Sequence, residues 1–357
     1  MSRPSAIDLF AGAGGATRGL RDAGFRVLAA VENDPEAAES YRRNHPRVLL
    51  YEADIRRVPA PQIAKAAKLK RGDLDLLKAC PPCQGFSSLA KGEVDQARND
   101  LVLDVARFVD VFLPKTLLLE NVPGLQRDRR LPLLLDELES LGYSFMRALL
   151  DASTFGVPQR RRRFILIGVR RDVGQLRPES DPLSYLPKSF LTTQKTARQA
   201  LAHLARHSMP DDPLNTHRKS SDKVFARISA IPVGGNRFDL PEEHQLDCHR
   251  KLNNRSASGS YGRVKLDEPA PTMTTRCTTP ACGAFVHPIE NRGLTLREAA
   301  TFQSFPVTYK FHGFYGSIER QIGNAVPVRM AKGLGLIARS ILDNSSPNRS
   351  NFPLLKQ

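Results

Sequence analysis

The sequence predicts an α/β fold followed by a second, irregular domain, and three observations carry that prediction. Short apolar runs alternate with helix-period segments through the first half, the signature of an α/β sheet. A glycine-rich stretch, Asp8 to Gly15, joins the first apolar run to the first helical one. After about Asp172 the clean periodicity fades, and residues 173–290 are rich in Pro, Ser, Asn and basic side chains.

The elements follow in order. Ala6–Phe10 reads as a strand and Thr17–Ala23 as a helix that Gly24 stops at its C′ position. Val27–Val31 is a second strand, and Pro35 suits the first turn of a helix running to about Arg43. Leu74–Ala79, Thr116–Leu119 and Phe164–Val169 are further buried strands; Leu101–Phe112 and Leu131–Leu141 are helical by spacing. The region from 173 reads as an irregular domain with short strands. Helical patterns return at Thr295–Gln303 and Val328–Leu342, and Asn344–Gln357 reads as a frayed tail. No internal repeat is evident.

Composition bounds the function. The 357 residues, 41% hydrophobic and 25% charged, describe a globular chain with room for two or three domains and a real core. No apolar run reaches the roughly 20 residues of a membrane span. Met1 to Phe10 holds one Arg and no long apolar stretch, so no secretory signal is expected. Five Cys, odd and sparse, argue against a disulfide scaffold and fit a reducing cytosol. A formal net charge of +16 points to a polyanionic partner without specifying fold or chemistry.

Three clusters carry candidate chemistry. In the first, Asp8-Leu-Phe-Ala-Gly-Ala-Gly-Gly15 places glycines where backbone turns tightly in front of a helix N-terminus, and Glu32 ends the second strand about 20 residues after Gly12, the spacing of an acidic residue that binds ribose hydroxyls. Asp54 follows the next apolar stretch. The glycine spacing is not that of a dinucleotide loop, so an adenosine-type ligand without a phosphate chain is equally compatible; a tight turn beside two solvated carboxylates is the plainer alternative.

In the second cluster, Cys80-Pro-Pro-Cys-Gln-Gly-Phe-Ser87 directly follows the strand ending at Ala79. A Cys at a strand's carboxyl end is well placed to be a nucleophile, and two prolines stiffen its approach. Glu120-Asn-Val122 ends another strand, and a thiol and a carboxyl there can act as nucleophile and acid on one planar ring. A redox dithiol, half of a zinc site completed by Cys277 and Cys282 near Cys248-His249, and a buried structural thiol are the competing readings; Cys80 itself reads as the last of these.

In the third, Gln159-Arg-Arg-Arg-Arg163 precedes a strand. Extended alternation points Arg161 and Arg163 to one side and Arg160 and Arg162 to the other, so that one pair can enter a site while the other meets phosphates. Many Lys and Arg follow in 173–290. Aromatics are few there and Trp is absent from the chain, which fits groove and backbone contacts to a duplex better than stacking on a single strand.

Taken in order, these motifs resemble the cytosine-5 DNA methyltransferases, which use S-adenosylmethionine. Asp8–Gly15 resembles the family's first motif, with Glu32 and Asp54-Ile55 the next two. Pro81-Pro-Cys-Gln-Gly-Phe-Ser87 resembles the nucleophile motif, Arg98-Asn-Asp-Leu101 the short motif after it, and Glu120-Asn-Val122 the glutamate motif. Phe155–Arg163 resembles the family's Gln-x-Arg-x-Arg; Arg292–Ala300 with Phe302–Pro306, and Gln321–Pro327, resemble its ninth and tenth motifs. Lys78-Ala79 departs from the small residues usual before Pro-Pro-Cys, and Ala325 stands where Ser is common.

The resemblance implies a Rossmann-like catalytic domain, mostly parallel with helices on both faces. It implies a catalytic first part at 1–172, a smaller, mostly-β target-recognition domain at 173–317, a return to the catalytic domain at 318–343 and a flexible tail at 344–357. It implies a DNA (cytosine-5-)-methyltransferase in which Cys83, Glu120, Arg161 and Arg163 are catalytic. Phe10, Gly12, Gly14, Glu32, Asp54, Ile55, Pro82, Leu101, Asn324 and Ala325 bind S-adenosylmethionine, whose product is S-adenosylhomocysteine. Gln84, Ser87, Ser88, Gln159, Arg160 and Arg162 meet the DNA, and residues 84–99 form a loop closing over a flipped base. It implies no metal, double-stranded DNA as partner, a monomer, no membrane, a cognate restriction endonuclease as genetic partner, and a bacterial cytoplasmic, nucleoid-associated location. A transfer RNA methyltransferase on the same fold ranks below it, since such members carry Cys-Phe-Thr where this chain has Cys277-Thr-Thr279. A silent DNA-binding protein does not account for the intact Cys83 and Glu120 set, and a dehydrogenase leaves Pro-Pro-Cys unexplained.

Overall fold

The computed structural model describes residues 3–82, 99–190, 193–207, 209–250 and 259–344. The chain divides into two compact units: Met1–Asp151, Arg162–Leu191 and Met330–Gln357 form the first, and Ala152–Arg161 with Thr192–Arg329 the second. The sequence reading puts the smaller domain at 173–317, whereas the second unit takes in 152–161 and 192–329. Residues 173–191 hold to the first unit because Leu176 N–H donates to Ser144 and Arg147 N–H to the Pro178 carbonyl.

The first unit is a seven-stranded sheet in the order β3-β2-β1-β4-β5-β7-β6. Its strands are β1 (Ser5–Leu9), β2 (Arg26–Glu32), β3 (Leu49–Glu52), β4 (Leu76–Ala79), β5 (Thr116–Asn121), β6 (Tyr143–Asp151) and β7 (Arg162–Arg170). The first five pair in parallel, and β7 runs antiparallel to both β5 and β6. Its helices are α1 (Gly15–Asp22), α2 (Pro35–Asn44), α3 (Ala60–Ala66), α4 (Asp104–Phe112) and α5 (Arg130–Ser140).

Strand alternation sorts the two faces. Ile7, Leu9, Val31, Leu77 and Leu119 point into one core with residues of α3, α4 and α5, including Ile63, Phe108 and Leu134. Ala30 and Asp8 point the other way, to Tyr41 of α2 and Thr17 of α1. The closing helix α11 (Val328–Asn344) reaches α1: a Cβ on Gly335 would come within 2.8 Å of the Ala23 Cβ, so only glycine allows this approach. Gly24, at φ 93°, ends α1 where the sequence places its stop.

The second unit contains α6 (Ala197–His207), α7 (Asp222–Ser229), α8 (Asp247–Arg250), α9 (Leu296–Phe302) and α10 (Tyr315–Asn324). The expected mostly-β character is corrected here: among the described residues its β structure is limited to single bridges, such as Gln159 with Ala270 and Arg263 with Val286. Frequent Pro removes the N–H groups that a ladder needs. Arginines hold the irregular backbone instead. Arg263 donates to the carbonyls of Ile228, Ile231, His287 and Glu290 and to Asn291. Arg297 pairs with Asp212 at 2.5 Å and donates to the Tyr309 carbonyl. A capping box between Thr295 and Glu298 starts α9, every residue of which is buried.

Candidate active site

The carboxyl ends of the parallel strands carry the candidate residues of the first unit. After β1 the chain turns sharply, with Phe10 at φ 57°, Gly12 at 56° and Gly14 at 91°. A left-handed Phe is costly, and it persists because the loop is tied on several sides. Ala11 N–H donates to Val31 and Gly14 N–H to Ala11. Gly12 N–H donates to Glu32 Oε2 at 2.7 Å. The other Glu32 oxygen accepts Asp34 N–H at 2.8 Å. Burial pushes the Glu32 carboxyl above its usual range, while amides of Asp34, Gly12 and Asn33 pull the other way.

His45 was not anticipated from sequence. It caps α2, its Nε2 lies 3.1 Å from the Gly14 carbonyl, and Arg21 meets its Nδ1. Burial, despite the Gly14 carbonyl and helped by Arg21 and Arg18, pushes it down to about 4. An Asn-His-Pro sequence after a helix gives no local sign of this role, because the partner lies 31 residues away.

Asp54 caps a 3-10 turn, Ile55–Arg57, by accepting Arg56 N–H. The Arg56 guanidinium also grips it, which holds its carboxyl down to about 2. Ile55 is buried, its carbonyl held by Arg107 of α4 at 2.7 Å. Leu101 packs against the core from within a 3-10 turn at Asp100–Val102, and buried Arg130 fixes that turn by pairing with Asp100 at 2.6 Å. These residues fit an adenosine-type ligand. A carboxylate aligned by backbone amides can accept ribose hydroxyls, and a Cβ built on Gly12 would meet nothing within 4 Å, so the space at the turn is open.

The second half of the edge is a chain of side chains on one sheet face. Register pairs Asp8 with Lys78 and Lys78 with Leu118, so Asp8, Lys78, Cys80 and Glu120 share a face. Glu120 pairs with Ile165 in β7, which brings Arg163 to the same face. Glu120 is buried; its Oε1 lies 3.0 Å from Arg163 Nε, and its Oε2 accepts the Cys80 thiol at 2.7 Å. Cys80 is thus joined to the acidic residue, which the structural-thiol reading of it did not include. Asn121, also buried, donates to the Pro81 carbonyl at 3.2 Å and so fixes the path of the chain into Pro82. Cys83, Gln84, Ser87 and Ser88, and the other residues to Arg98, lie outside the described residues.

The arginine run alternates as expected: Arg160 and Arg162 are exposed, Arg161 is buried and Arg163 largely so. Arg163 meets Glu120. Arg161 belongs to the second unit, where its guanidinium donates to the Met273 and Gly323 carbonyls. Arg160 pairs with Glu268. The expected DNA contact of Gln159 is corrected. Gln159 is fully buried, its amide nitrogen donating to Phe302 and Gln303 and its oxygen accepting Met273 N–H, so it ties the second unit together. Asn324 is exposed at the end of α10, and the Ala325 amide donates to Ile322. Cys277 is buried, which holds its thiol well above the usual range, while Cys282 is exposed. Among the described residues no group of three or more His, Cys, Asp or Glu side chains gathers as a metal site, and no helix is long and apolar enough to cross a membrane.

Comparison with known proteins adds to this geometry. The family model for C-5 cytosine-specific DNA methylase matches residues 5–339. The Type II methylase M.HgiDII of Herpetosiphon aurantiacus is 32% identical over 342 residues, 94% of each chain. The Type II methyltransferase M.PspPI of Psychrobacter sp. (strain TA137) is 34% identical over 345 residues, 93% of this chain and 78% of its own. The crystal structure of a prophage-encoded DNA modification methyltransferase of E. coli superposes with a TM-score of 0.67 at 26% identity, covering 95% of this chain and 99% of that one.

Proposed function

The chain belongs to the C-5 cytosine-specific DNA methylase family and is a DNA (cytosine-5-)-methyltransferase, and from that premise we propose that Cys83, Glu120 and Arg163 carry its reaction. The observation that supports this most is Glu120, buried at the end of β5 with Arg163 on one oxygen and the Cys80 thiol on the other, beside the Pro81-Pro82 approach to Cys83.

The chemistry follows from the ring. Carbon 5 of cytosine is a weak nucleophile while the ring is aromatic. The Cys83 thiolate adds at carbon 6, and the electrons move toward ring nitrogen 3, leaving carbon 5 enamine-like. Glu120 hydrogen-bonds or protonates nitrogen 3 and so stabilises the charge that develops there. Arg163 fixes the Glu120 carboxyl and offers donors toward the carbonyl oxygen of the base. S-adenosylmethionine, when bound, would supply an electrophilic methyl group on its sulfonium, for carbon 5 to take up as the sulfur–methyl bond breaks, with S-adenosylhomocysteine as the other product. Loss of the carbon-5 hydrogen to a base then expels Cys83 and restores the ring. Phe10, Gly12, Gly14, Glu32, Asp54, Ile55, Pro82 and Leu101 bind the cofactor in this reading, joined by Asn324 and Ala325. Arg161, donating to backbone carbonyls, organises its own unit rather than the base.

The target atom is unreachable within a duplex, so the cytosine is flipped out, at a cost of a few kcal/mol. Gln84, Ser87 and Ser88 are assigned to the loop over the flipped base, Arg160 and Arg162 to phosphates, and the basic second unit to sequence choice. The Type II names of the relatives support a modification role beside a cognate restriction endonuclease; a monomer acting on cytoplasmic, nucleoid DNA completes the proposal. Bisulfite sequencing of DNA from cells expressing the protein tests the reading: methylated cytosines at one sequence are expected, and none would overturn it. Duplex DNA carrying 5-fluorocytosine should trap the wild-type protein covalently and fail to trap Cys83→Ala. An adduct with that variant would refute the assignment of the nucleophile.

A further inference from the structure

Residues 273–279 of the second unit form neither helix nor strand, yet most of them are pinned to α10 or to the Gln159–Arg161 segment. Met273 is held on both sides, its N–H by the Gln159 oxygen at 2.8 Å and its carbonyl by the Arg161 guanidinium at 2.9 Å. The same guanidinium donates to the Gly323 carbonyl at 3.1 Å, which bridges the segment to the last turn of α10. Backbone meets backbone there, since a Cβ on Gly323 would run into the Thr274 carbonyl. One turn earlier Glu319 is only 1% exposed. Its Oε1 accepts the Thr278 N–H at 2.8 Å, the Thr278 hydroxyl at 2.7 Å and the Thr279 hydroxyl at 3.3 Å. The Cys277 thiol reaches the Glu319 carbonyl at 3.8 Å. A buried carboxylate costs folding free energy unless such donors satisfy it, and a well-bonded network fixes one arrangement of the backbone that carries it.

Thr275 and Arg276 are the exposed residues of this segment. The Arg276 N–H donates to the Thr274 hydroxyl at 3.4 Å, and its carbonyl accepts the Thr279 N–H at 3.0 Å, so its backbone is fixed with that of its neighbours. Its guanidinium is not fixed. The Thr279 hydroxyl lies 3.5 Å from Nε, at the limit of hydrogen bonding, and among the described residues no carboxylate pairs with it. Other exposed arginines of this unit have such partners: Arg160 pairs with Glu268, Arg198 with Asp267, Arg218 with Glu319 and Arg250 with Asp247. A solvated surface charge accounts for an unpaired arginine but not for the buried network beneath it.

Resting on the reading that the second unit chooses the DNA sequence, we propose that Arg276 is a specificity-determining residue that reads a guanine of the target duplex, its guanidinium fork donating to O6 and N7 in the major groove. The two kinds of DNA contact make different demands. A phosphate accepts a cation from many directions, so a flexible arm serves. A base edge accepts two parallel hydrogen bonds at set places, so the backbone that carries the fork has to be set in advance. Arg276 combines a fixed backbone with a free fork, and α10, Gln159 and Arg161 supply the fixity.

Bisulfite sequencing of DNA from cells expressing the wild-type protein gives the target sequence; no methylated cytosine there would overturn the functional reading and this proposal with it. Methyl transfer is then compared on a duplex carrying the target and on duplexes that each change one base pair. In Arg276→Ala, the preference for the target over the duplex altered at one G·C pair, other than the methylated one, drops ten- to about a hundredfold, which is what a bidentate base contact contributes. Discrimination at the remaining positions stays as in the wild type. Arg276→Lys keeps the charge but not the fork, and it loses the same preference. Both substitutions change an exposed side chain, so the unfolding midpoint should not move. Uniform weakening on every duplex in Arg276→Ala, with a salt slope lower by about one and rescue by Arg276→Lys, would make the contact one to phosphate and overturn the proposal. Wild-type discrimination at every position in Arg276→Ala overturns it as well, as does relaxation confined to an A·T pair.

Discussion

Two glutamates stand at strand ends of the same sheet edge, and they are held in opposite ways. Glu32, the last residue of β2, is gripped by backbone amides of Gly12 and Asp34. Glu120, at the end of β5, is gripped by the side chains of Arg163 and Cys80, with Lys78 nearby. Backbone amides cannot titrate or swing away, so they fix a carboxylate's direction, as a binding residue needs. Side-chain partners can rearrange when a substrate arrives, as a reacting residue needs. The β2 side of the edge is thus built to bind and the β5 side to react.

The largest effect that can break this division is at Glu120. Glu120→Gln keeps the shape and one acceptor but loses the exchangeable proton, so kcat should fall by about a thousandfold, within the range for general acid–base catalysis. Cofactor binding, measured by calorimetry, should stay within about threefold, since a carboxyl that meets only the base leaves the cofactor's binding contacts in place. A large loss of cofactor affinity in this variant would erase the distinction between the two glutamates.

How far this edge was legible in the sequence depends on distance along the chain. The glycine turn, the Pro-Pro-Cys approach and the Glu-Asn strand end are local patterns, and each maps to the carboxyl edge because β1, β4 and β5 are rich in apolar residues and buried along their whole length. β6 went unread because it is an edge strand with Arg147 and Leu149 exposed and little alternation to mark it. Lys78 was visible only as an oddity, because its partner Asp8 lies on a different strand. Gln159 misled for the same reason: an exposed-looking Gln-Arg run conceals an amide buried against Phe302 and Met273, more than a hundred residues away. In the second unit, α6 and α7 lay hidden among the prolines and basic residues that made the region read as an irregular domain with short strands.

The next effect concerns stability on the binding side. His45 is neutral in the fold, pushed down to about 4 chiefly by burial, against an ordinary value of 6.5. The unfolded chain therefore takes up a proton between pH 6.5 and 4 that the folded chain refuses. Stability from this group is intact above pH 6.5 and declines as pH falls to about 4, by up to about 3 kcal/mol. Urea unfolding across this range should show the decline, and His45→Gln should flatten it. An unchanged slope in the variant would mean that the Gly14 loop is not anchored through His45.

A smaller effect separates the glutamates from the other direction. Glu32→Gln retains one acceptor oxygen but makes its nitrogen face the Gly12 or Asp34 amide, donor against donor. Losing one charged hydrogen bond of this kind costs about 1.5–3 kcal/mol, so cofactor affinity should fall ten- to about a hundredfold while kcat at saturating cofactor changes little. Equal losses in kcat would place Glu32 in the reaction and blur the contrast with Glu120.

The smallest effect is at Asp54, a carboxylate gripped by an exposed arginine rather than by backbone or by a buried cation. Its carboxyl is held down to about 2 by the Arg56 guanidinium, so its contribution is present above the usual carboxylate range and is lost as pH falls toward 2. Arg56 is half-exposed, and a solvent-screened pair of this kind is worth under about 1 kcal/mol. Asp54→Asn preserves an oxygen to cap the 3-10 turn and removes only the charge pairing. Its unfolding midpoint at neutral pH and low salt should therefore drop slightly, and the difference should vanish in high salt. A drop that survives high salt would mean that the charge of Asp54 matters beyond its screened pairing with Arg56. The binding side of the edge would then depend on charge as much as on backbone, and the line between its two halves would have to be redrawn.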